Sequence, residues 1–356
     1  MRERLVQWRW ELLLLLILVA VLSVNVSLSP FYLSVQNFIN VFQLSIEKVI
    51  VAVIMTFVIV NGEIDLSVAS VMAFSASVLG TLHEVEGLPF AVALGVALLA
   101  GAGAGLLQGL FVARMRLPSL VVTLAGLIGF RGAARILLED RSSGDFPAWF
   151  DQLGQDPLVG RLSFALILFL VGIVVAVVIL HRTAFGRSLF VIGNNPEVAR
   201  YSGINVARTK LVVMTTSGFV AGLAGVLFAA RLGSVRANLA DGFELDIITM
   251  VLLGGVSIFG GSGHLAGVAL SILIILNIRN GLGLARVPVS TQTGVIGALL
   301  ILSVLAPNLV ARFTRRRRPM ASGPGPPATG NGSQGGEVTG SGSESHREPS
   351  TERGKA

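Results

Sequence analysis

The sequence predicts an all-α protein, a polytopic transmembrane helical bundle of about ten spans. Three observations predict it. Of 356 residues 53% are apolar and 13% charged, the mean hydropathy is +0.78, and the apolar residues fall into runs long enough to cross a bilayer. Crossing a hydrocarbon core of about 30 Å takes roughly 20 such residues per helix. The basic residues sit in short clusters between those runs rather than along one face.

Cut at charges, prolines and paired glycines, the runs lie near 11–29, 45–61, 66–82, 89–113 and 118–138. A second set lies near 163–180, 210–230, 245–258, 264–279 and 288–309. The first run follows Arg2 and Arg4 like the core of a secretory leader, but it continues to about Leu28 with no A-x-A pattern, so it reads as an anchor. Ten crossings put Arg2, Arg4 and Arg9, Arg114 and Arg116, Arg182 to Lys210, and Arg312 to Arg318 on one side. They put His83, Glu84, Glu86 and the stretch from Glu139 to Asp156 on the other. Lys and Arg are retained on the cytoplasmic side during insertion, so both termini are expected there. An odd count would split the basic clusters. Residues 1–318 therefore form a transmembrane domain, and 319–356, rich in Gly, Ser, Pro and Thr, reads as a disordered cytoplasmic tail.

Composition also excludes several chemistries. No cysteine is present, so disulfides, thiolate metal sites and cysteine nucleophiles are ruled out. The four histidines, His83, His181, His264 and His346, have no metal-ligand spacing, and no G-x-S-x-G elbow appears. Neither a metal nor a catalytic residue is expected. The net charge of +7 is explained by topology rather than by nucleic acid.

Three stretches depart from plain spans. The first, Asn61-Gly-Glu-Ile-Asp-Leu-Ser-Val-Ala-Ser70, places two carboxylates between apolar runs. Gly62 allows the preceding helix to break, and Asp65 or Ser67 can cap the next one. Alternatively Asn61, Glu63, Asp65 and Ser67 line a polar pathway at a discontinuous helix pair, and the two readings are compatible. The second, Gly193-Asn-Asn-Pro-Glu-Val-Ala-Arg-Tyr-Ser-Gly-Ile-Asn205, spells a capped two-turn helix. Pro196 suits its first turn, Glu197 its positive end and Gly203 the left-handed position after it. So short a helix rests on other structure, either as a connector or as a docking surface. The third, Gly254-Gly-Val-Ser-Ile-Phe-Gly-Gly-Ser-Gly263, has no Lys-Ser or Lys-Thr and so is no phosphate loop. Gly254, Gly255, Gly260 and Gly261 suit a sharp turn and close packing, as Gly101, Gly103 and Gly105 do inside a span. His264 reads as a loop histidine, and Arg131 and Arg135 as snorkelling to the outer interface or meeting a partner's acidic surface.

Taken in order, the three stretches resemble the sugar-type permeases of bacterial ATP-binding-cassette (ABC) importers, the group that transports ribose, xylose, rhamnose and autoinducer-2. Gly62 to Ser70 is similar to the family's G-x-I-D-L-S-V segment, Gly193 to Asn205 to its G-N-N-P-E-A-A-R-x-S-G-I-N loop, and Leu252 to Gly263 to its glycine-rich segment. The resemblance runs from about Glu11 to Leu309, with Val198 replacing the first alanine of E-A-A. Asn61 to Ala69, Leu117 to Thr123, Phe130-Arg-Gly132 and Glu139-Asp140 look most like rhamnose permeases, with autoinducer-2 permeases as near neighbours, and Glu63 is the most distinctive of these residues.

The resemblance implies a type II-like permease in the bacterial inner membrane that performs no chemistry. Pro196, Glu197, Ala199, Gly203 and Ile204 match the coupling segment that sits in a cleft of the ATPase. The implied partners are cytoplasmic ATPase subunits, an extracytoplasmic sugar-binding protein and a second permease chain, identical or homologous. ATP and Mg are used by the ATPase, and no cofactor is bound by this chain. A neutral sugar needs a weakly binding path, which fits a membrane interior with few charges beyond Glu63 and Asp65. A stand-alone channel, a secondary carrier or an intramembrane enzyme is the rival, and it lacks any use for a capped cytoplasmic helix.

Overall fold

The computed structural model describes residues 2–28, 30–139, 141–160 and 162–316, so the expected tail lies outside the described residues. The first helices are α1 (Arg2–Leu28), α2 (Val35–Gln43), α3 (Ile46–Val60), α4 (Val68–Gly80, continued by a π turn, Thr81–Val85), α5 (Phe90–Ala113) and α6 (Ser119–Leu138). There follow α7 (Ala148–Gln155), a two-stranded antiparallel ribbon of β1 (Pro157–Val159) and β2 (Leu162–Ser163), α8 (Phe164–Arg182), α9 (Ala184–Asn194) and α10 (Pro196–Tyr201). The chain closes with α11 (Val206–Leu232), α12 (Phe243–Leu253), α13 (Leu265–Leu284) and α14 (Val289–Arg316). The protein is an all-α polytopic membrane bundle, and Met1–Ala311 form one compact unit.

Past Glu47 and Lys48, helix α3 is apolar on every side but for Thr56, and every residue of it except Ile54 is buried, so it forms the centre. Helices α5, α6 and α8 keep exposed apolar faces at Leu99, Ile128, Ile136 and Val174, as lipid-facing helices do. Between α5 and α11 small residues let two backbones meet. A Cβ built on Gly101 would fall 2.8 Å from the carbonyl oxygen of Gly218, and one on Gly105 3.0 Å from the Cα of Gly218. Gly103, expected to serve the same purpose, faces open space.

Helices occur where all ten spans are expected, but among the described residues seven are long and apolar enough to cross, or eight counting α2 and α3 as one span bent by 56°. The clearest departure is the expected span 245–258. Helix α12 has 11 residues, about 16 Å at 1.5 Å per residue, and falls short of a bilayer. The segment between α11 and α12 makes up the distance by folding inward, burying Val235, Leu239 and Ala240. Irregular backbone at that depth needs donors. Arg131 supplies them, donating to the carbonyls of Ala237 (3.1 Å) and Leu239 (2.6 Å) and pairing with Asp241 at 3.0 Å. Arg131 therefore braces this segment rather than snorkelling free.

The sequence also understated the buried charge. Glu47 and Lys48 on α3 and Asp246 on α12 are buried. Lys48 and Arg279 of α13 both pair with Asp246, and Arg231 of α11 pairs with Glu47 at 2.7 Å. These charges clasp four helices together at the end of the bundle where α3 and α12 begin. Helix α1 packs along α13, held by Trp10 Nε1 donating to the carbonyl of Leu253 at one end and Asn25 to that of Asn277 at the other.

Candidate functional site

The three unusual stretches meet at one point. Gly62 ends α3 with φ +82°, the left-handed backbone that breaks the helix. A Cβ built on Gly260 would lie 2.6 Å from the Cα of Gly62 and 3.2 Å from that of Gly193, so the three glycines are in backbone contact. The N–H of Gly261 donates to the carbonyl of Val60 (2.9 Å), and the Asn194 side chain donates to the carbonyl of Gly261 (2.9 Å). The third stretch thus closes a carbonyl left open at the end of α3, and the second in turn holds the third. Gly254 approaches the Cα of Val268, and Gly255 lies against the Trp10 ring.

Both carboxylates of the first stretch are gripped by α11. Glu63 forms an ion pair with Lys210. Asp65 accepts from the N–H (2.9 Å) and hydroxyl (2.6 Å) of Ser67 and from the hydroxyl of Ser217 (2.9 Å). Complete burial pushes the Asp65 carboxyl above its usual range, and the bonds from Ser67 and Ser217 oppose that. Lys210 and Ser217 are seven residues apart, two turns of one helix face. Gln108 of α5 donates to the Ser67 hydroxyl (2.8 Å), while Ser119 and Thr123 of α6 bond the backbone of Ile64. Ser67 stands at the N-cap of α4, yet its hydroxyl is turned to Asp65 and Gln108 rather than capping the helix. Asn61 is buried, with neither amide atom bonded among the described residues. Asn61, Glu63, Asp65 and Ser67 therefore gather at one joint inside the protomer.

The second stretch forms the capped helix α10. Asn195 accepts from the N–H groups of Glu197 (2.9 Å) and Val198 (3.2 Å), Pro196 opens the helix, and Gly203 follows it at φ +79°. It is six residues long, shorter than two turns. Ala199 is buried against Ile192 and Val206 with Ile204 alongside, while Glu197, Val198 and Tyr201 face outward, Tyr201 93% exposed. Val198 and Tyr201 thus give this short helix an exposed apolar pair.

The sequence did not single out Lys210, Ser217, Gln108, Ser119 or Thr123 as partners. The readable signal was the seven-residue spacing of Lys210 and Ser217 and the lone amide of Gln108 within an apolar span. His264 stacks on His181 with ring centroids 5.2 Å apart. No group of side chains suited to a metal occurs among the described residues.

Comparison with known proteins identifies the family. A family described as the permease component of the branched-chain amino acid transport system matches residues 37–304. The chain is 36% identical over 266 residues to the autoinducer 2 import system permease protein LsrD of Photorhabdus luminescens, covering 73% of this chain and 79% of that one. It is 35% identical over 281 residues to the protein of that name from Yersinia enterocolitica, covering 76% and 84%. The figures for its Yersinia pestis counterpart are 35% over 282 residues, 76% and 84%. No solved structure matches.

Proposed function

This chain belongs to the branched-chain amino acid transport system permease family, as a sugar-type ABC importer permease, and on that premise we propose that its cargo is autoinducer 2 or a solute of that class. The observation carrying this reading is the 35–36% identity to autoinducer-2 permeases over three quarters of the chain. It favours that cargo over rhamnose. Glu63, on which the likeness to rhamnose permeases leaned most, is held by Lys210, so packing accounts for it without a sugar.

The chain is a transport subunit and no enzyme. In the proposed assembly two permease chains, this one with an identical or homologous partner, surround the pathway. Separate cytoplasmic subunits hydrolyse ATP with Mg, and an extracytoplasmic protein delivers the solute. The face carrying α10, Arg116 and Lys210 is taken as cytoplasmic, in line with retention of basic residues on that side. Pro196, Glu197, Ala199, Gly203 and Ile204 form the coupling element, with Val198 and Tyr201 inserted into the ATPase. Closure of the ATPase dimer displaces α10, and the rigid α11 carries that displacement through Lys210 and Ser217 to Glu63 and Asp65 at the joint between α3 and α4. Asn61 to Ser67 then act as the hinge beside the pathway.

The test is uptake of labelled autoinducer 2, rhamnose, ribose and xylose by cells lacking or carrying the gene, with and without ATP depletion. ATP-dependent uptake of autoinducer 2 alone is expected. Restored rhamnose uptake in its place overturns the cargo, and uptake that survives ATP depletion overturns the motor.

A further inference from the structure

A cleft of about 700 Å³ opens beside α10, between the end of α5, the start of α6 and the start of α11. Its lining includes Arg116, Arg200 and Lys210 against a single carboxylate, Glu63. Glu63 is already committed to Lys210, while Arg116 and Arg200 have no ion-pair partner among the described residues. Arg116 and Arg200, from distant parts of the chain, thus line one concavity whose lining carries a surplus of two positive charges. Arg116 reaches it from a left-handed backbone, φ +57°, which a residue with a side chain adopts at a cost. Apolar Leu117 and Ile204 line the same space, so it offers both charge and grease.

The volume lies in the range of small-molecule sites. The surplus matches a phosphate group, which guanidinium forks bind through paired charge-assisted hydrogen bonds. Basic pockets between membrane helices also take anionic headgroups. We propose that this cleft binds a phosphate group, borne by an anionic phospholipid or by a free phosphorylated small molecule, and that its occupant competes with Glu63 for Lys210. Nothing in the transport of a neutral solute requires such a site. Through Lys210 it gives an anion on this face influence over the joint of α3 and α4, and through Arg200 over α10.

The test uses the purified full chain in two arms. In phosphatidylcholine nanodiscs, inorganic phosphate and glycerol 3-phosphate are titrated by calorimetry. In phosphatidylglycerol bilayers, retained lipid is counted by native mass spectrometry. The paired variant R116A/R200A is expected to weaken binding at least about tenfold, the loss of one charged hydrogen bond or more, while R208A, outside the cleft, binds as wild type. A calorimetric signal lost in the variant identifies a free phosphate. Retained phosphatidylglycerol lost in the variant, without that signal, identifies the lipid. Thermal melting checks the fold, and if the pair melts early, the single R116Q and R200Q variants carry the comparison. Wild type and variant alike in both arms, or an equal loss in R208A, overturns the proposal. Binding is read here without transport, so failure of the importer reading leaves this result standing, and the reverse also holds.

Discussion

Ser217 and Asp65, 152 residues apart in sequence, share a 2.9 Å hydrogen bond at the point where α11 crosses the break between α3 and α4. The carboxylate is fully enclosed and its acceptor sites are met by Ser67 and Ser217. Removing it leaves the Ser67 N–H and the Ser217 hydroxyl without an acceptor, while the Ser67 hydroxyl keeps Gln108 Oε1 at 3.1 Å. Asp65→Ala is expected to cost about 2–4 kcal/mol, from buried donors worth about 1–3 kcal/mol each and not fully additive. Asp65→Asn keeps one acceptor oxygen and loses less, and Ser217→Ala loses about 1 kcal/mol. Thermal or denaturant unfolding of the protein in nanodiscs measures all three. Asp65→Ala no worse than Ser217→Ala would show that the carboxylate is not the hub of this joint.

Lys210 and Glu63 have side chains 19% and 9% exposed, so their pair is sheltered without being sealed. Reversing either charge alone places like charges face to face. Glu63→Lys and Lys210→Glu are each expected to abolish most uptake, and the double exchange to restore a good part of it. A coupling energy of about 1–3 kcal/mol, between values for exposed and buried pairs, is expected from a double-mutant cycle on stability. An exchange no better than its parents would reduce the pair to a passive contact.

The joint was legible in the sequence because its residues are out of place. Two carboxylates at Glu63 and Asp65, a capped helix at Pro196 and five glycines between Gly254 and Gly263 all interrupt apolar runs. That they meet was not legible, since contact between Gly62, Gly193 and Gly260 is a property of packing across the whole chain. Most spans were read correctly because apolar length is what a bilayer selects. Helix α12 was read too long for the same reason. Apolarity from 245 to 258 reports burial, and α12 is buried by protein, with the Gly254 turn ending it early. Lys48, Asp246 and Arg279 escaped notice because single charges vanish in the average over an apolar window, although they pair once folded.

Asp246 is 2% exposed and pairs with both the buried Lys48 and the partly buried Arg279, so one acid holds two cations. Asp246→Ala is expected to cost about 3–5 kcal/mol, the penalty for an uncompensated buried charge. Lys48→Met costs less, because Arg279 still satisfies the carboxylate. Raising salt from low to molar changes the wild-type melting temperature little, since screening acts weakly on enclosed pairs. A strong salt dependence would place this clasp in contact with water.

Glu197 and Ala199, two residues apart and so on opposite sides of α10, have opposite fates, one outward and one buried. Ala199→Glu would break the packing against Ile192 and Val206 and says nothing about docking. Glu197→Arg and Tyr201→Asp change only the outward surface. Both are expected to leave the protein folded and at normal abundance in the membrane while cutting uptake to about a tenth or less, as loss of a docking hot spot does. The measurements are immunoblotting of membranes, melting of purified protein and initial uptake rate, taken together. Normal uptake by Glu197→Arg would remove α10 from the coupling path, and a fall in abundance matching the fall in uptake would assign its outward face to folding.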